Sequence, residues 1–489
     1  MTPPKRRLGL TVTAAITVAN MIGVGVFTST GFQAESLFDP MTILACWVVG
    51  GLLALCGAAA YAELGSMMPR AGGEYVYLSE AYHPAVGFMS GIVSLTAGFS
   101  APIAAAAIAF SAYLAKLISG LQGAPWLVID LGVKITIGAQ QVVSIGLVLA
   151  VTALHSFDSK VGGSVQAVFT AMKVLLIVAF IIAGFAVGNG DWSNLASQHG
   201  GLSNIGTTAF ATALMYVSFA YSGWNSAAYI ANEVERPERN LPRALLLGTG
   251  VVMALYVLIN IVFLYAVPSN ILAGRVPEAI QGYATAWPGG PPIEVGDLAA
   301  RNLFGASAGG VVSAVIALAL ISSVSAMIMA GPRVYAAMAV NRALPHQLAT
   351  FNKRGVPVNA VITQGVLAIL FVLIGDLGSL LRFIGFTLAI FAALTVGSLF
   401  VLRRRGLRSA YRTWGYPVTP VAFIVMSAWI AYSQVKQRPL ESSIGAGVLV
   451  LGALLYHVLG KDKPKLLDQS MPDMPAQNVP EGRGVKDDD

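Results

Sequence analysis

Charge is scarce in this sequence. Asp, Glu, Lys and Arg together make up 11% of its 489 residues, against roughly 25% in an ordinary soluble domain. A soluble chain of this length needs far more charge to cover its surface, so that class is excluded. Cysteine is nearly absent: Cys46 and Cys56 fall in one apolar stretch, which leaves no external disulfide framework. His83, His155, His199, His346 and His457 are scattered without metal-ligand spacing, so neither a metal nor another cofactor is expected. One enzyme-like pattern occurs, Gly305-Ala306-Ser307-Ala308-Gly309. It opens an apolar stretch with no strand before it, so it reads as small-residue helix packing and not as a nucleophile elbow. No enzyme is expected.

What fills the sequence is apolar: 56% of residues. A bilayer core needs about 20 such residues per helix. Twelve stretches qualify, near 11–33, 41–66, 85–115, 141–157, 162–187, 205–230, 244–267, 307–331, 358–375, 379–402, 418–435 and 442–459. The repeating ten-residue alternation of an outer-membrane barrel is missing. The first stretch is too long for a secretory signal and has no cleavage site after it. These features predict an all-α integral membrane protein of twelve transmembrane helices, with one compact domain over 1–460. A polar, Pro-containing cytoplasmic tail over 461–489 lacks the apolar content to fold and is expected to be disordered. The longest external segment, about 268–304, is rich in Pro and Gly and ends in an apolar Val295–Phe304 stretch with the pattern of a short surface helix.

The net charge of +7 invites a nucleic-acid reading until the charges are placed. With the N-terminus inside, most Lys and Arg residues fall on inner segments, including Arg236, Arg239, Arg243, Arg403, Arg404 and Arg405. Only Lys116, Lys134, Arg275, Arg301, Arg382, Lys436 and Arg438 fall outside. This is the positive-inside bias. It puts both termini in the cytoplasm of a multi-pass protein of the cell membrane, gives lipid as its surroundings and removes the case for nucleic acid.

Two stretches are interrupted. The first reads Asn20-Met21-Ile22-Gly23-Val24-Gly25-Val26-Phe27, and the sixth reads Ser218-Phe219-Ala220-Tyr221-Ser222-Gly223-Trp224-Asn225. Glycine weakens helices, and unwound backbone survives at membrane depth only around an enclosed or watery cavity. Close helix packing through small residues is the competing explanation. The two segments head spans one and six, matching places in two five-helix repeats, which is the arrangement that marks a transporter's central site.

With these segments in view, the sequence resembles the amino acid–polyamine–organocation (APC) superfamily, and most of all the bacterial relatives of the L-type amino acid transporters. The similarity runs through Met21–Phe27, Tyr61-Ala62-Glu63-Leu64-Gly65, Pro69–Tyr77, Phe219–Asn225, Pro237–Ala244 and Gly331-Pro332-Arg333-Val334-Tyr335. It implies a LeuT-like 5+5 inverted-repeat fold with discontinuous helices 1 and 6 and two peripheral helices. It also implies an amino acid substrate, bound by backbone. The N–H groups around Gly23, Val24 and Gly25 would take the carboxylate, and the carbonyls of Met21, Phe219 and Ser222 the ammonium, as helix ends favour. Val24 stands where the family often has a small hydroxyl residue, so a side-chain contact is lost there.

No Asp or Glu lies near the middle of spans one, three, six, eight or ten. A cationic substrate would lack a counter-ion, and the small neutral Ser222 agrees, so neutral amino acids are favoured. Ala104–Ala107 in span three leave room. Phe219 resembles the family's gating aromatic, and Asn225 can support a gate. Glu63 and Arg70 flank the inner end of span two as a boundary or gate pair. Lys173 sits mid-span with apolar neighbours, about eleven residues or ~16 Å from the nearer helix end, too deep to snorkel. By resemblance to sodium-independent relatives, it replaces the Na⁺ of sodium-coupled members and donates to span-one carbonyls and to Ser322 or Ser323.

The function expected is therefore sodium-independent secondary transport of neutral L-amino acids, by exchange or proton-linked uptake with alternating access. The alternatives are a cationic amino acid or polyamine carrier and a non-transporting sensor. Eukaryotic relatives join a heavy chain through a cysteine in the loop after span three. Residues 117–140 contain none, so no covalent heavy-chain partner is expected.

The orientation is directly testable. Cysteines introduced at Glu35 and Gln281 should react with an impermeant maleimide from outside intact cells, and one at Gly406 only after permeabilisation. External labelling at Gly406 would reverse the topology.

Overall fold

The computed structural model describes residues 8–69, 72–130, 134–157, 159–197, 200–273, 294–341 and 343–459. Arg70, His199, Gln281 and the 461–489 tail lie outside these residues.

Every one of the twelve apolar stretches falls on helix. Span one is a bent pair, α1 (Leu10–Met21) and α2 (Val24–Leu37), meeting at 40°. α3 (Pro40–Met67) follows, then the short α4 (Glu74–Ala81) and α5 (Pro84–Ala115), which passes through a π-turn at Ser94–Ser100. Next come α6 (Ala139–Phe157) and α7 (Ser159–Ala186). The sixth stretch is α8 (Thr208–Ala220), a turn, and the single-turn α9 (Ser226–Tyr229). α10 (Pro237–Ala266), α11 (Val295–Phe304), α12 (Ala306–Val340), α13 (Val358–Ile374), α14 (Leu377–Arg404), α15 (Val418–Gln437) and α16 (Pro439–Leu459) complete the chain. Among the described residues, eight helices are long and apolar enough to cross a membrane. The bent pair makes nine, and three shorter apolar helices (Thr170–Ala186, Thr208–Ala220 and Val358–Ile374) accompany them.

Local chemistry sets several starts. Asp39 caps α3, its side chain accepting from the Thr42 N–H at 2.9 Å with Pro40 at the first helical position. Asp376 caps α14 and Thr207 caps α8 in the same way.

Two expectations need correction. The chain is not wholly α. β1 (Leu127–Asp130) pairs antiparallel with β2 (Lys134–Ile137), Leu127 opposite Ile137, in the loop after α5. The run of β-branched residues there (Val128, Ile129, Ile135, Thr136, Ile137) suits a strand better than a helix. And α11, expected as a surface helix, is largely buried against α12 and α10. Its Asp297 accepts from Ser313 at 2.9 Å and Arg301 at 2.7 Å, so its polar face is satisfied inside the protein.

The helices pack in two groups. α1, α2, α3, α8 and α10 pack together, most extensively α3 along α10. α5, α6, α12 and α13 form a second set, and α7 touches both α10 and α12. α14 packs on α8, α5 and α15 and carries an arginine near each end. Arg382, expected at the outer end of the tenth stretch, lies in the second turn of this helix. Its Nε donates to Glu441 at 2.6 Å, and another guanidinium N–H donates to the Tyr216 hydroxyl at 3.2 Å. At the other end Arg403 grips Glu63 with two bonds of 2.8 and 2.6 Å, while the Thr413 backbone N–H adds a third at 2.7 Å. The guanidinium lies 3.7 Å from the centre of the Tyr416 ring. Glu63 therefore has a long-range partner in Arg403, the fork-to-fork geometry that arginine favours.

Small residues let the first group close. A Cβ on Gly25 would stand 2.5 Å from the Cα of Ala220, and one on Gly50 2.3 Å from a Val217 methyl. Gly25→Leu should therefore break the α2–α8 crossing, by ~3 kcal/mol or more. A thermal-unfolding scan in detergent checks this; a melting temperature equal to wild type would contradict the close packing.

Candidate functional site

The two interruptions lie against each other. α1 ends at Met21, Ile22 and Gly23 take extended backbone, and α2 restarts at Val24 with no side chain capping Gly23. In span six, Gly223 has φ +97°, a region closed to most L-residues. A Cβ there would stand 2.6 Å from the Asn20 carbonyl oxygen and 3.2 Å from the Met21 nitrogen. Glycine is required twice over, by its backbone and by the approach of one broken helix to the other. The first N–H groups of α2 and the last carbonyls of α1 are left without intrahelical partners at this junction, as at any helix end.

The residues expected at the site are brought together, in unequal roles. Met21, Val24, Phe219 and Ala220 are buried around the junction, and Gly23 is open: the atoms nearest its added Cβ are the Met21 carbonyl oxygen and Ser323 Oγ, both at 4.0 Å. Gly25 packs on Ala220, so its missing side chain serves the helix crossing. The Met21 carbonyl accepts from the Tyr256 hydroxyl at 2.7 Å, and the same hydroxyl meets the Gly23 backbone N–H. The Phe219 carbonyl accepts from the Ser222 N–H at 2.9 Å, which turns it into the local turn. Ala104–Ala107 are wholly buried, and Ser144 of α6 donates to the Ala107 carbonyl at 3.0 Å, so this run supports the α5–α6 contact.

Lys173, from the middle of α7, points into the same junction. Its Nζ donates to the Ile22 carbonyl at 3.2 Å and to Ser323 Oγ at 2.9 Å. Ser322 does not share this contact; its buried hydroxyl finds no partner among the described residues. Successive residues on a helix point about 100° apart, so only one of two adjacent serines can face the amine.

Just past the span-six break, Asn225 Nδ2 donates to Glu74 Oε1 at 3.0 Å and to the Tyr229 hydroxyl at 3.3 Å. The Tyr61 hydroxyl donates to the same Glu74 oxygen at 2.6 Å. Leu8 forms a parallel bridge to Val234, its N–H donating to the Glu233 carbonyl at 3.1 Å and its carbonyl accepting from Glu235 N–H at 3.0 Å. Among the described residues, no three His, Cys, Asp or Glu side chains gather as a metal would need.

Sequence reasoning missed Tyr256, one aromatic among several in an apolar helix with nothing to mark it. It also missed the partners of Glu74, although that residue stood in a quoted motif. The Gly72-Gly73 pair before Glu74 was the available signal. Both glycines have positive φ, and a Cβ on Gly73 would stand 2.6 Å from the Tyr229 ring.

The profile of a family described as amino acid permease matches residues 8–454. The chain is 27% identical to the serine/threonine exchanger SteT of Bacillus subtilis, over 94% of this chain and 98% of that one. It is 28% identical to the human b(0,+)-type amino acid transporter 1, over 93% and 88%, and 25% identical to the rabbit (Oryctolagus cuniculus) large neutral amino acids transporter small subunit 2, over 94% and 82%. With a match that starts at the Leu8 bridge, takes in both broken helices and ends in the last apolar helix, the chain belongs to the amino acid permease family of membrane transporters, and it is not an enzyme.

Proposed function

We propose that this protein moves neutral L-amino acids across the cell membrane without sodium, by exchange or proton-linked uptake, holding the substrate at the junction of its two broken helices. The observation that carries the reading is the pair of abutting breaks with a lysine ammonium beside them. The open ends of α1 and α2 offer carbonyls and N–H groups to a zwitterion. No acidic side chain approaches Lys173 among the described residues, and Glu74 is already engaged by Tyr61 and Asn225. A cationic substrate would have no carboxylate to meet. The names of two relatives, a serine/threonine exchanger and a large neutral amino acid transporter, point the same way.

The helix groups support twelve spans in two repeats of five with two peripheral helices. The first packing group takes spans one, two, six and seven; the second takes three, four, eight and nine. Spans five and ten stand between them. Each group thus draws the same positions from both repeats. Alternating access is rocking of the first group against the second around a fixed site. Lys173 bridges them, with Ile22 in one and Ser323 in the other, at the place a coupling Na⁺ would otherwise occupy. Phe219 and Asn225 gate the site from the two sides. Both termini are cytoplasmic, and with no cysteine in residues 117–140 no heavy chain is attached covalently.

Liposomes loaded with unlabelled serine or leucine should accumulate the labelled amino acid by counterflow, equally in Na⁺ and choline. Arginine and putrescine should compete poorly. Strict Na⁺ dependence, or binding without counterflow, would contradict the proposal. Lys173→Ala should keep its expression level and lose flux by about tenfold or more, the scale of one lost charge-assisted hydrogen bond. Gly23→Ala has room for its methyl group, so it should fold and yet lose affinity; unchanged affinity would move the carboxylate site elsewhere.

A further inference from the structure

Glu74 is a carboxylate enclosed by hydroxyls. It is buried, at the first position of α4 and outside the long apolar helices. Tyr61 of α3 and Asn225 of span six donate to one of its oxygens. Tyr77 from its own helix and Tyr229 from α9 also face it. Among the described residues, no cation from α3, α5, α9 or α14 pairs with it. The charged groups nearest along α3 and α14, Glu63 and Arg403, are paired with each other. Two effects oppose one another here. The N-terminus of α4 favours the charged form, as do the two donated hydrogen bonds. Burial without a counter-charge disfavours it, and on balance burial pushes the carboxyl above the ordinary carboxylate range.

The contacts of Glu74 reach two parts of the inner face. Tyr61 belongs to α3. Asn225 follows the span-six break directly, in the segment that must move if the inner side opens. A charged acceptor holds such donors about twice as strongly as a neutral one.

We propose that Glu74 is a proton-binding site that latches the inner gate: the carboxylate holds Asn225 and Tyr61 together, and a proton taken up from inner-face water loosens that grip and releases the inner half of span six. The proton returns to the same water when the gate closes. This rests on the transport reading given above, because it needs a gate that opens during turnover. It supplies a role for inner pH that is independent of Lys173.

Counterflow of a labelled neutral amino acid, with the same pH on both faces of the liposome, tests it. Wild-type rate should rise by about threefold or more between pH 8 and pH 5.5 as the charge-assisted bonds weaken. Glu74→Gln keeps the shape and fixes the neutral state, so it should run at the fast rate throughout and lose the pH dependence. Tyr61→Phe removes one donor to the carboxylate, so its profile should keep the same form with its midpoint moved to higher pH. A wild-type pH profile surviving in Glu74→Gln would overturn the proposal. Should that variant fail to fold, a Tyr61→Phe midpoint equal to wild type would overturn it as well. Counterflow with a flat wild-type profile sinks the proton site alone, whereas no counterflow at any pH sinks the transport reading itself.

Discussion

Backbone polar groups have no water to turn to inside a bilayer, and the whole arrangement follows from where this chain leaves some of them open. At Ile22–Gly23 and at Tyr221–Asn225 the helical ladder stops. Such breaks persist only where protein surrounds them. Each break here is enclosed partly by the other, Gly223 lying against Asn20 and Met21. Tyr256, Ser323 and Lys173 close the remaining sides. The same groups that make the breaks costly make them useful, because a zwitterion supplies one anion and one cation to two oppositely polarised helix ends.

Lys173 shows how the enclosure is made without freezing the protein. It stands on α7, which belongs to neither packing group, and its two acceptors lie one in each. An ammonium has three donors and no preferred plane, so it can follow relative movement of its partners in a way that a guanidinium fork cannot. The forks are found instead at the ends of α14, where Arg382 and Arg403 bind Glu441 and Glu63 in fixed geometry. Flexible charge sits at the centre and rigid charge at the rims.

Much of this was legible beforehand, because membrane insertion imposes a one-dimensional code. Apolar runs of the right length, cations gathered on one side and glycine pairs inside otherwise continuous helices are local signals. The apolar runs and the glycine pairs located the twelve long helical stretches and both breaks, though not the short α4. The unreadable features depend on contacts distant in sequence. Nothing local distinguishes Ser323 from Ser322, or tells that Gly25 packs on Ala220 while Gly23 has room for a Cβ. Glu63 had a cation seven positions away in Arg70 and yet finds its partner in Arg403, because α14 brings a bidentate group to it from the far end of the chain. The hairpin at Leu127–Ile137 escaped for the opposite reason: its signal is local but short, and weak beside the long apolar runs around it.

The bridge between Leu8 and Val234 has a consequence in time. Leu8 leaves the ribosome before its partner, which follows some 230 residues later, roughly 10–45 s at ordinary synthesis rates. The contacts of Asn20 and Met21 with Gly223 wait as long. During that interval the backbone around Gly23 has no enclosing partner, and in lipid only an unbroken helix satisfies it. The enclosure of the break in span one therefore depends on the sixth span, which is made later. The break written into the first helix is completed by residues not yet made when that helix is inserted.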